Sequence, residues 1–574
     1  MGERYTFAAR LVQSRWLVIA AAILIQCSAG VTYSFGIYSQ TIKDTFNYDQ
    51  EQLDTLASWK DLGANIGVVS GLVFDWFSPQ GVLAIGTVQS GLAYLAMYLS
   101  VAGIFAVPQF WQMCLYMFFA ANAQTFFSTA CVVTCVQNFP RNRGVVIGLM
   151  KGFLGLSGAV MTQLYHGVYG NEPTSFLLMA AWLPSVTALL LMVIIRPVPA
   201  RGEKEESRNL FILSLIALCL AMFLMGVILL EGMINIGHYG YVAVLAVISV
   251  MLLLPMGMAV VSERESFVAS TSLPTLQEPL LINSGTDRSC LSSSEAVASS
   301  DGEGERCCKS DQTSSLNNPE DVVIVLPEKG HLLDVQPVRK GPSRGEEHTI
   351  PEAMGQVDFW LLFLAMACGT GGGLTAIDNT GQIGASLGYT PEAVGTFISL
   401  FSIWNFLGRL GFGALSELCL QKFKIGRPVL LAGSQACMSL GYVLISSALP
   451  GSLYPALIVI GLCYGAQWSL MPAITSELFG LKRFATLFNV ISIASPIGAY
   501  FPSVQVTGRL YDMEAAKDHR EVNTVDFECY GAHCFRLTFI ILAAVSLLGC
   551  TVCSVLVHRT KAFYARIVQN SQAK

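Results

Sequence analysis

In this chain the residues with chemistry to offer are ionisable side chains set inside apolar stretches, where a charge is costly and marks a functional site by default. Lys60 and Asp61 stand side by side within the apolar stretch 53–74. Lys151 sits among Gly148, Gly152, Gly155 and Gly158 in the stretch 144–166. Arg409 and Glu417 share 392–414 and its inner end, two helical turns apart. Asp378 follows a run of glycines in "ACGTGGGLTAIDNTGQIG" (Ala367–Gly384). Cations so placed attract an anion, and a carboxylate in such surroundings can carry a proton. Each has a structural reading beside the functional one. Lys60 and Lys151 could snorkel to an interface, with Asp61 capping a local network. Arg409 could serve a gating ion pair with Glu417. For Asp378, either the helix ends at the glycines and the carboxylate lies in an outer loop, or a broken helix lines a water-filled cavity. Tyr33, Gln124 and Gln467 add uncharged polar groups, which in membrane spans serve as interhelical glue or as ligand contacts.

The elements that must position these groups are membrane helices. The 574 residues are 53% hydrophobic and only 13% charged, against about 25% charged in soluble domains. Spans of about 20 apolar residues fall at 16–38, 53–74, 81–101, 111–136, 144–166 and 174–195, then at 209–231 and 239–261. Residues 262–350, with "LSSSEAVASSDGEGERCCKSDQTSS", are too polar to bury a core and are expected to be disordered. Six more spans follow at 356–378, 392–414, 428–449, 453–475, 484–506 and 534–557. The first span is too long for a cleavable signal peptide and lacks a small-residue cleavage site. Lys and Arg concentrate in alternate short loops, which places both termini and the 262–350 segment in the cytosol.

The two halves repeat. "GVTYSFG" (Gly30–Gly36) aligns with "GLTAIDN" (Gly373–Asn379), "GLVFD" (Gly71–Asp75) with "GALSE" (Gly413–Glu417), and "NFPRNRGVVIGLMKGFLGLSGA" (Asn138–Ala159) with "LFGLKRFATLFNVISIASPIGA" (Leu478–Ala499). The offset is nearly constant and the order is kept. Arg143 thereby pairs with Arg483. The expected domains are an N-terminal six-helix bundle (1–200), two extra helices (201–261), a cytosolic loop (262–350), a C-terminal six-helix bundle (351–562) and a tail (563–574). Parallel repeats with a site between them describe alternating-access transporters.

Metal and phosphate motifs are missing: there is no HExxH, paired CxxC or GxxxxGK[ST]. No catalytic constellation can be assembled, no cofactor is expected, and no basic stripe points to nucleic acid. Most of the 16 cysteines lie in apolar stretches as small hydrophobes, while Cys529 and Cys534 lie in the last outer loop and are expected to form a disulfide if that loop faces a lumen or the exterior.

"GLVFDWFSPQG" and "GRLGFGALSE" resemble the G-x-x-x-D box of the major facilitator superfamily. Asp75 and Glu417 stand at the acidic position, and Trp76, Phe77 and Ser78 stand where the family's basic residues would be. "RWLVIAAAILIQCSAGVTYSFGIYS", "WKDLGANIGVVSGLVFDWF" and "CYGAHCFRLTF" are similar to the plant nodulin-like, nuclear fusion defective 4-like branch, over about residues 10–262 and 350–560. The resemblance implies an all-α membrane protein: two six-helix bundles plus two extra central helices, 14 transmembrane helices in all. It also implies a transporter of a small solute. A more distant likeness to oxalate/formate and monocarboxylate carriers makes that solute an organic anion. The expected site is Lys60, Asp61, Lys151, Tyr33, Gln124, Asp378 and Gln467, with Asp75, Arg409, Glu417, Arg143 and Arg483 as gating residues. The partners expected are a small-molecule substrate, a coupling proton and the bilayer of the plasma membrane or an endomembrane (vacuole or ER), around a monomer. The rival reading is a non-transporting regulator or scaffold that signals through residues 262–350.

Overall fold

The structure is a computed structural model. It describes residues 10–198, 206–271 and 342–572, apart from connecting positions 49, 171–172, 232–233, 235–236, 390, 450, 512, 515–528, 530 and 532. Most of the 262–350 segment lies outside the described residues.

The first half runs α1 (Arg15–Ala29), α2 (Phe35–Phe46), α3 (Gln50–Asn65), α4 (Val68–Trp76), α5 (Pro79–Val101), α6 (Phe110–Asn138), α7 (Arg143–Tyr169) and α8 (Pro173–Leu191). Two further helices follow, α9 (Glu206–Glu231) and α10 (His238–Thr271). The second half runs α11 (Ile350–Met354), α12 (Val357–Asp378), α13 (Thr380–Ser386), α14 (Pro391–Leu418), α15 (Arg427–Ser447), α16 (Leu453–Phe479), α17 (Phe484–Ser492), α18 (Ala494–Tyr500) and α19 (His533–Gln572). Among the described residues, 11 helices are long and apolar enough to cross a membrane. Large apolar side chains such as Phe211, Leu190 and Val250 face outward at 60–70% exposure or thereabouts, as lipid-facing surfaces do.

Local signals set the helix ends. The Ser14 hydroxyl accepts from the Trp16 N–H at 3.2 Å to open α1, and Ser78 accepts from Gly81 with Pro79 in the first turn of α5. Thr349 and Glu352 form a reciprocal capping box that opens α11. Two elements reach past their expected borders: α10 continues to Thr271, beyond the border at 261, and α19 continues to Gln572, through the expected tail. The α19 extension keeps an apolar face, with Tyr564 and Val568 buried, and the α10 extension carries the Arg208–Glu265 pair with α9.

The glycine run does not break its helix. α12 is continuous from Val357 to Asp378, and Gly369, Gly371, Gly372 and Gly373 are all buried within it. A Cβ on Gly371 would lie 2.6 Å from Cα of Gly498 on α18, and one on Gly498 would lie 2.6 Å from the carbonyl carbon of Ala367. The two backbones touch, as small-residue helix interfaces in membranes allow. That close packing offsets the roughly 1 kcal/mol that each glycine costs a helix. The expected loosening occurs in the first half instead. There α1 stops at Gly30 and a 3₁₀ turn (Val31–Ser34) leads into α2. Likewise the span 53–74 is interrupted between α3 and α4 at Ile66–Gly67.

Candidate functional site

Three layers of polar residues run along the seam between the halves. The central layer centres on Lys151 of α7, which is 6% exposed. Its ammonium donates to the Ser128 hydroxyl on α6 at 3.0 Å. It also lies 4.6 Å from the centre of the Phe488 ring and 5.6 Å from that of Trp468, both in the second half. Arg409 of α14, 2% exposed, reaches across the seam. It donates to the Lys151 carbonyl at 2.7 Å and to Asn405 Oδ1 at 2.9 Å. Its far nitrogen lies 3.5 Å from the Tyr33 hydroxyl. The guanidinium fits because Gly155 offers no side chain: a Cβ there would sit 3.2 Å from Nη1. Among the described residues no carboxylate pairs with either cation. Two buried positive charges from opposite halves therefore face the same space with only hydroxyl, amide, carbonyl and aromatic partners. Cation–π contacts of this kind contribute about 1–2 kcal/mol when desolvated, less than a buried charge requires.

Thr32 donates to Gln124 Oε1 between α6 and the 3₁₀ turn. Gln467 is fully buried, its NH₂ against the Met438 sulfur at 3.3 Å, and its Oε1 has no partner. Tyr33 is 45% exposed although its neighbours Val31, Thr32 and Ser34 are buried. Its side chain is thus the most exposed part of this layer.

The second layer lies where α3 of the first half meets the end of α12. Lys60 and Asp61 form an ion pair at 3.0 Å, with the ammonium 5.0 Å from the centre of the Phe35 ring. Asp378, at the last residue of α12, is exposed and lies close enough to interact electrostatically with both. Asn379 caps the helix directly after it. The carboxylate thus belongs to a helix end facing the other half.

At the opposite end the halves are locked together. Cβ atoms on Gly148 and Gly413 would lie within about 3 Å of the facing backbone, so α7 and α14 cross in direct contact. Glu417 accepts from Arg427 at 2.7 Å and from the Gly144 N–H of the first half at 3.3 Å. Arg427 also donates to Glu477 at 2.8 Å and to the Ser416 hydroxyl. Arg143 donates to the Ser476 carbonyl across the seam at 3.1 Å. Asp75 accepts from Thr486 at 2.6 Å, with Arg483 at 3.9 Å. A segment before α11 reinforces this end. Gly345 and His348 donate to the carbonyls of Leu478 and Phe479, and Glu347 accepts from the N–H groups of Leu481 and Lys482. In the same segment, the Ser343 N–H and hydroxyl hold the Glu346 carboxyl below its ordinary range.

The structure therefore brings Lys151, Arg409 and Tyr33 together. It groups Lys60, Asp61 and Asp378 separately, and it gathers Asp75, Glu417, Arg143 and Arg483 at the closed end. Arg409 stands with the central cation rather than with Glu417. Cys529 and Cys534 are joined as a disulfide. Ser128, Asn405, Phe488 and Glu477 escaped sequence reasoning. Glu477 lies at the end of α16, one position before the stretch that aligns with "NFPRN", and its counterpart there is the uncharged Gln137.

The nodulin-like family matches residues 15–260 and the NFD4 C-terminal domain matches residues 345–566. The chain is 26% identical over 563 residues to Protein NUCLEAR FUSION DEFECTIVE 4 of Arabidopsis thaliana, covering 97% of this chain and 90% of that protein. It is also 26% identical over 211 residues to a probable transporter mch1 of Emericella nidulans, covering 31% and 33% of the two chains. Its fold is similar to that of the major facilitator proton:xylose symporter XylE bound to 6-bromo-6-deoxy-D-glucose. That match has a TM-score of 0.52 at 11% identity, over 93% of this chain and 94% of that one. The nodulin-like first half and the NFD4-type second half, matched in order along the chain, place it in the nodulin-like branch of the major facilitator superfamily, and its helical fold is similar to that of solved major facilitator proteins.

Proposed function

We propose that the protein moves a small organic anion by alternating access, through a site formed where Lys151 and Arg409 meet. The observation that carries this reading is the pair of buried cations from opposite halves that lacks a carboxylate partner among the described residues. An anion supplies the missing charge, and it does so only where both halves touch it. Tyr33 opens the site to water on the α2 side, while the Glu417–Arg427–Glu477 and Asp75–Thr486 contacts close the other end. The arrangement corresponds to an outward-open state of a 14-span protein, if the Lys- and Arg-rich end faces the cytosol. Lys60, Asp61 and Asp378 already stand together on the α2 side, where Asp61 or Asp378 would carry the coupling proton.

The test is counterflow in proteoliposomes over a panel of mono- and dicarboxylates and neutral sugars. At least one carboxylate should exchange and no sugar should. Lys151→Gln and Arg409→Gln should each lower that exchange more than tenfold. Exchange of a neutral sugar that survives both substitutions would reject the anion reading.

A further inference from the structure

A second cavity lies away from the seam, at the closed end of the second half. It holds about 700 Å³ between the start of α15 and the last turns of α19. Ile425, Pro428, Val429, Val557, Ala565 and Val568 give it an apolar wall. Lys424, His558 and Lys561 stand on its rim, and no carboxylate lines it. All three are exposed, and the two lysines are cations. The position is specific: α19 is 40 residues long, about twice what a bilayer requires, so its last turns project past the membrane boundary. The cavity sits at that boundary. A cationic rim above an apolar groove at a membrane surface complements one kind of molecule, an anionic headgroup with acyl chains attached.

We infer that this cavity binds an anionic phospholipid, its phosphate held by Lys424 and Lys561 and one acyl chain laid along Val429, Val557 and Val568. The site bears on the closed end. Tyr564, which lines the cavity, donates to Glu477 at 2.9 Å. Glu477 pairs with Arg427, and Arg427 with Glu417, which also accepts from the Gly144 N–H of the first half. Tyr564 also packs on Gly426, where a Cβ would lie 2.9 Å from its ring. An occupant that holds Tyr564 in place therefore steadies the network that joins the halves.

The inference does not depend on the transported solute, and its test reads lipid rather than flux. The full-length protein is reconstituted in nanodiscs of phosphatidylcholine with one fifth phosphatidylglycerol, and co-purifying lipid is counted by native mass spectrometry. The wild type should retain phosphatidylglycerol in preference to phosphatidylcholine. Lys424→Ala/Lys561→Ala, two exposed positions that folding tolerates, should cut that preference about tenfold, and Lys424→Glu/Lys561→Glu should abolish it. Arg141→Ala, an exposed cation away from the cavity, should leave it unchanged. Equal retention by wild type and double variant, or an equal loss in Arg141→Ala, would overturn the assignment. So would displacement of the lipid by millimolar glycerol 3-phosphate, which would show that the rim takes a free phosphate instead.

Discussion

Two arginines at the closed end differ sharply in what they contribute. Arg427 is 1% exposed between two glutamates. Removing it leaves two buried carboxylates uncompensated, at a cost of about 3–5 kcal/mol. Arg483 is one-third exposed and 3.9 Å from Asp75, so its pair contributes less than about 1 kcal/mol. Arg427→Ala should therefore lower the unfolding temperature in detergent by many degrees or abolish expression, whereas Arg483→Ala should shift it by no more than a few. Equal shifts in differential scanning fluorimetry would show that the Glu417–Arg427–Glu477 cluster is not the structural centre of the closure. At this scale the sequence was informative about charge and poor about partners. Lys151, Arg409 and Glu417 stand out in apolar text, but which charge meets which depends on side chains hundreds of positions apart. Arg409 and Lys151 are 258 positions apart. Ser128 and Asn405 carry no mark at all among ordinary polar residues of a span.

Helices meet across the seam where side chains are smallest. Gly148 and Gly413 bring α7 and α14 into backbone contact, while Gly411, on the same helix as Gly413, has nothing within 4 Å. Gly413→Leu should force the two halves apart at the closed end and reduce counterflow at least tenfold. Gly411→Leu should leave it within twofold, since it adds only lipid-facing surface and removes a helix penalty of about 1 kcal/mol. If the two variants behave alike, the crossing does not control closure. Helices of this kind were legible from hydropathy, and the repeat showed which stand in equivalent places. What glycine meant was not legible. In α1 it ends a helix and in α12 it lets α18 approach, and the same letter serves both because the difference lies in the neighbour, not in the run itself.

On the scale of the whole molecule the asymmetry of the two ends matters most. One end is held by hydrogen bonds and the Asp75–Arg483 pair between the halves, while Tyr33 and Asp378 at the other are exposed. The segment before α11, ordered against Leu478–Lys482, was expected to be part of a disordered loop. Its polar composition hid the fact that its partners are backbone groups of a distant turn. The two-bundle plan was readable because it repeats, whereas the open end was not, since a repeat is silent about the angle between its copies. The most direct measurement is equilibrium binding, in nanodiscs, of the carboxylate that drives the strongest counterflow, comparing wild type with Lys151→Gln and Lys151→Arg. Loss of at least tenfold in affinity for Lys151→Gln (about 1.4 kcal/mol), with partial recovery in Lys151→Arg and unchanged unfolding temperatures, is the predicted result. Wild-type affinity in Lys151→Gln would contradict it.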